Sequence, residues 1–116
     1  MRSRVIVLLA VAACGETTPP NGGPVETREV TIVDNAFEPP DIIVREGDTV
    51  TWTWAGFDVH TVVFDDGSIL PATARAAGTH QVVFGIAGTY PYFCSVHGRS
   101  VMSGTVEVRQ LEPEPG

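Results

Sequence analysis

Lysine does not occur among the 116 residues, and all seven cationic side chains are arginines. Against fourteen acidic residues they leave a formal net charge of -7. Two of the arginines, Arg2 and Arg4, sit at the N-terminal end, so the rest of the chain is more acidic still. With no basic stripe the chain is a poor binder of nucleic acid, and that class of partner is excluded. The charge suits solubility and docking to a cationic partner equally well. Cysteine and methionine each occur twice and histidine three times. No apolar run approaches the roughly 20 residues needed to cross a bilayer. No segment sustains a helical period, and no internal repeat is present.

What is there begins with an export-like start. Arg2 and Arg4 precede a nine-residue apolar stretch, Val5 to Ala13. That length suits the apolar region of a secretory signal. Val11-Ala12-Ala13-Cys14 then resembles the lipobox of bacterial lipoproteins, which implies a lipidated Cys14 and a membrane tether. Added acyl chains would anchor the domain stably. Residues 15–24 are rich in proline and glycine and read as a flexible tether. The division expected is a signal over 1–13, a lipid-anchored linker over 14–27, a folded domain over 28–109 and a disordered tail over 110–116. The protein should be exported, periplasmic or at the cell surface. Two cysteines in an exported chain usually pair. Here Cys14 ends the signal-like segment and Cys94 lies in a metal-like motif, so no disulfide is expected.

The folded part reads as short strands rich in β-branched and aromatic residues. Candidates are Glu29–Val33, Asp41–Val44, Thr49–Trp54, His60–Phe64, His80–Phe84, Thr89–Phe93 and Ser103–Val108. Turn signals such as Glu46-Gly47-Asp48 and Asp65-Asp66-Gly67 separate them. Val50, Trp52 and Trp54 alternate onto one face. Seven to eight short strands at this spacing predict an all-β sandwich or barrel. Residues 71–77, with four alanines, are compatible with one helical turn before Gly78.

The chemistry is concentrated late in the chain. Cys94, His97 and Met102 fall within nine residues, at spacing Cys-x2-His-x4-Met. His60 lies upstream at the start of a strand. Two imidazoles, one thiolate and a weak thioether are the ligand set copper uses for one-electron transfer. Each residue also has a plainer reading. Cys94 could be a small buried hydrophobe and Met102 core filler. Cys-x2-His suits zinc as well. His80 has no partner at ligand spacing and reads as a surface histidine.

Taken together, these motifs resemble the cupredoxin family, of the plastocyanin, amicyanin and halocyanin type. The resemblance spans about Glu29 to Val108. It rests on Gly88-Thr89-Tyr90-x-Tyr92-x-Cys94-x-x-His97-x4-Met102-Ser103-Gly104-Thr105-Val106, with Val59-His60-Thr61-Val62-Val63-Phe64 upstream. It implies a Greek-key β-sandwich, one type 1 copper ion held by His60, Cys94, His97 and Met102, and a one-electron carrier that is not an enzyme. Expected partners are redox proteins, a cytochrome or a membrane oxidoreductase, met by a monomer. The alternative is copper storage or delivery. Delivery sites usually expose several methionines or histidines, and this chain has one internal methionine.

Thr61, Ser95 and Val96 are the neighbours expected to support these ligands. Thr61 stands where the family usually has asparagine. Its hydroxyl can replace part of that bonding, and its N–H remains available to the Cys94 sulfur. Phe93 replaces the tyrosine of plastocyanins. Val96 replaces a proline common in relatives and keeps an N–H. If that N–H reaches the sulfur it raises the potential, and Val96→Pro should lower it.

Overall fold

The computed structural model describes residues 23–111. The signal-like segment, Cys14 and the last five residues lie outside this range. Among the described residues ten strands form two sheets. They are β1 (Val25–Glu26), β2 (Glu29–Val33), β3 (Ala36–Glu38), β4 (Asp41–Arg45), β5 (Asp48–Trp54), β6 (His60–Phe64), β7 (Ala72–Arg75), β8 (Gly78–Phe84), β9 (Gly88–Phe93) and β10 (Ser103–Arg109). The larger sheet runs β1-β4-β10-β9-β6-β7, and the smaller β3-β2-β5-β8. Parallel pairs β2/β5 and β4/β10 mix with antiparallel hairpins, so sequence neighbours separate between sheets. The molecule is an all-β sandwich, as the strand pattern predicts. Among the described residues no helix is long and apolar enough to cross a membrane.

Alternation builds the core. Val30 and Ile32 on β2, Val50, Trp52 and Trp54 on β5, and Val106 and Val108 on β10 all point inward and are buried. Trp52 meets Phe64 and Tyr92 edge-on, with ring centroids 5.6 and 5.4 Å apart. Edge-on contact of this kind adds to the area term.

All seven expected strands form, and three more appear. β1 pairs Val25 and Glu26 with Ile42 and Ile43, inside the stretch assigned to the linker. β3 pairs with β2. β7 overturns the helical turn expected at 71–77. Ala72 packs against Val62 in a ladder with β6 and is fully buried, and this pairing outweighs alanine's helical preference.

Candidate metal centre

β6 breaks the alternation, and that break makes the site. His60, Thr61 and Val62 are buried in succession, at the point where two steps along β6 oppose three along β7. Trp54 Nε1 donates to His60 O at 3.1 Å and holds the strand end. β9 delivers Cys94, and the segment from Cys94 to Met102 closes on itself. Cys94 N–H donates to Met102 O at 3.0 Å, Gly98 N–H to Cys94 O at 2.8 Å, and Met102 N–H to Gly98 O at 3.0 Å. Gly98, at φ 93°, supplies the left-handed backbone this tight loop requires.

The result is a cluster of His60, Cys94 and His97 whose donor atoms lie within 4.8 Å of one another. Cys94 Sγ is 3.9 Å from His60 Nδ1 and 3.5 Å from His97 Nδ1. The two rings lie 4.8 Å apart at 37°. His60 and Cys94 are fully buried, while His97 is half-buried. Met102 is buried, its carbonyl on the Cys94 amide. His80 stands outside the cluster, as expected. It is not a free surface residue, however. It alternates inward on β8 with Val82 and Phe84, opposite Trp52, and its Nε2 is buried without a partner. Burial holds its ring below the ordinary histidine pKa.

Cys94 is prepared to act as a thiolate. Burial pushes its thiol up, but the Thr61 amide, the His97 ring and amide, and the His60 ring outweigh burial and bring it down to about 6. Thr61 N–H approaches Sγ at 3.5 Å, as anticipated. Its hydroxyl accepts from Ser95 N–H at 2.7 Å and shares a second hydrogen bond with Ser95 Oγ at 2.9 Å. Thus Thr61 ties β6 to the ligand loop. Beside the Thr61 amide, that of His97 also lowers the thiol. The Val96 side chain is exposed.

Two residues went unnoticed in the sequence. Asp34, just after β2, places Oδ1 3.1 Å from His60 Nε2. It also accepts from the Phe57 and Asp58 amides, each at 2.9 Å. The Asp58 amide first, then the His60 ring, hold its carboxyl below the usual carboxylate range. Gly56 makes room for it, since a Cβ there would collide with Asp34. Arg99 in the ligand loop covers the Phe93 ring at 4.1 Å and pairs with Asp65 at 2.7 Å. Only an Asp-Asn turn signal marks Asp34, and nothing in the sequence points it at His60.

Residues 26–109 match the family described as copper binding proteins, plastocyanin/azurin family. The chain belongs to that family. This cupredoxin is 31% identical over 104 residues to amicyanin-alpha of Methylorubrum extorquens, covering 85% of this chain and 86% of that protein. It is 35% identical over 85 residues to plastocyanin of Scenedesmus fuscus, covering 63% of this chain and 86% of that one. Its fold is similar to the purple cupredoxin from Nitrosopumilus maritimus, with a TM-score of 0.62 at 22% identity over 71% of this chain and 99% of that one. It is an electron-transfer copper protein by family, and its cofactor is one copper ion. A buried cysteine brought down to about 6 beside two imidazoles fits a type 1 site.

Proposed function

We propose that His60, Cys94, His97 and Met102 together hold one type 1 copper ion, and that the protein carries single electrons between redox proteins outside the membrane. The observation that supports this most is the convergence of two imidazole nitrogens and one Sγ within 4.8 Å of one another. When bound there, copper supplies a one-electron couple in a geometry between those its two oxidation states prefer.

The chain's part is to hold the donors still and dry. The sandwich fixes His60 through Trp54 and Asp34. The closed loop from Cys94 to Met102 carries the other three donors, and its internal hydrogen bonds keep their spacing constant. Buried His60, Cys94 and Met102 exclude water. Half-buried His97 offers the ring edge through which a partner exchanges the electron. With four protein donors no position is left for a substrate, so the reading is a carrier and not an enzyme. Phe93 lies under Arg99, which argues against docking on that side in the manner of plastocyanins.

The acidic chain suits a partner with a cationic face, a cytochrome or a membrane oxidoreductase. Lipidation at Cys14 would keep this monomeric carrier beside membrane complexes, in the periplasm or at the cell surface, on a tether reaching on the order of 20 Å. The test is to add Cu(II) to metal-free protein. An intense visible thiolate-to-copper band is expected, absent in Cys94→Ser. A colourless wild type, or a blue Cys94→Ser, rejects the assignment. Storage or delivery is tested by timing copper loss to a chelator, which should be slow for a carrier.

A further inference from the structure

The His60 ring is fully buried, and its two nitrogens face different neighbours. Nδ1 points toward Cys94 Sγ at 3.9 Å, and Nε2 lies 3.1 Å from Asp34 Oδ1. A carboxylate only accepts hydrogen bonds. Two acceptors face the ring, the Asp34 carboxylate at 3.1 Å and the Cys94 sulfur at 3.9 Å, and the shorter contact to the carboxylate places the proton of a neutral His60 ring on Nε2, with Nδ1 toward the cluster. Asp34 is itself immobilised. Phe57 N–H reaches both carboxylate oxygens, at 2.9 and 3.2 Å, and Asp58 N–H reaches Oδ1 at 2.9 Å. The loop before β6 thus grips the carboxylate, and the carboxylate grips the ring. Its side chain is one-third exposed, so it sits at the rim of the site and not in its apolar wall.

We infer that Asp34 is a positioning residue for the metal site, one that sets the tautomer of His60 and favours the oxidised ion. This rests on the carrier reading above and adds to it a residue that sets the redox balance. The physical reason is general. A carboxylate on the far nitrogen of a ligating imidazole orients the ring and raises its donor strength. A stronger donor favours Cu(II) over Cu(I). A carboxylate is also a full charge near the ion, which a neutral amide is not.

Two substitutions separate this role from simple support of the loop. Asp34→Asn keeps an acceptor for the Phe57 and Asp58 amides but removes the charge. Asp34→Ala removes both. In metal-free protein, long-range proton–nitrogen spectra of the imidazoles should report Nε2–H for His60 in the wild type and loss of that single tautomer in Asp34→Ala. In copper-loaded protein, Asp34→Asn should weaken Cu(II) relative to Cu(I) about tenfold, which raises a one-electron potential by about 59 mV. A wild-type Nδ1–H tautomer overturns the inference. So does an unmoved potential in Asp34→Asn with its blue band intact. If the wild type takes up no copper, the carrier reading fails, and the tautomer measurement in metal-free protein still decides the role of Asp34.

Discussion

Replacing Thr61 with valine removes one oxygen and leaves the shape of the side chain. Thr61 is nearly buried, at 6% exposure, and its hydroxyl joins β6 to the ligand loop through Ser95 N–H at 2.7 Å and Ser95 Oγ at 2.9 Å. Two neutral hydrogen bonds at about 1 kcal/mol each set an upper figure of about 2 kcal/mol. Ser95 is exposed, so water takes over part of its bonding in the variant. The net loss expected is about 1 kcal/mol. For a domain of this size that lowers the melting temperature by about 4–8 °C. The assay is thermal unfolding of metal-free protein, wild type beside Thr61→Val and Thr61→Ser. Serine keeps the hydroxyl and should recover most of the loss. The visible band of the copper form should survive in both variants, since the group facing Sγ is the backbone N–H of residue 61. If Thr61→Val melts with the wild type, or if Thr61→Ser falls as far as valine, the hydroxyl is not the tie.

Two other predictions follow from packing and from pH. A Cβ at Gly104 would collide with Pro40 O and come within 2.6 Å of the Tyr92 hydroxyl, two atoms that are themselves hydrogen-bonded at 2.8 Å. Overpacking and loss of that bond give Gly104→Ala a destabilisation of about 2–4 kcal/mol by guanidinium titration, and a change under about 0.5 kcal/mol refutes the contact. Burial holds His80 below 6.5, with Arg75 adding to the effect and the Leu70 carbonyl opposing it. A depressed histidine costs nothing above its unfolded value, and stability is lost as pH falls from about 6.5 through the folded value. His80→Gln should therefore lose less stability than the wild type between about pH 7.5 and 5, and equal losses reject the buried ring as a cause.

The strands of the core were legible because their pattern is local. Thr49 to Trp54 alternates, and so does β10, and each strand forms where the alternation lies. The ligand loop was legible for the same reason. Cys94, His97 and Met102 lie within nine residues, and the loop that carries them closes by its own hydrogen bonds, Cys94 N–H to Met102 O among them. β7 was not legible. Its alanines favour a helix locally, and only the ladder with β6 makes it a strand. His80 was misread as a surface residue because the layer behind it cannot be seen from its own strand.

The sequence by itself determined that this chain folds as a β-sandwich carrying a thiol, two imidazoles and a thioether at copper spacing, because side-chain period and short-range spacing are properties of neighbours. The tertiary structure alone decided how the cluster is supported. Parallel pairing of β2 with β5, and the Asp34 bonds to the loop that follows, carry Asp34 across to His60. His60 and Thr61 are buried together where the β6/β7 register shifts, the extra residue lying in β7. The amides of Thr61 and His97 lower the Cys94 thiol. Each of these depends on hydrogen bonds between segments far apart in the chain or on backbone direction within a turn, and neither is written in the spacing of residues.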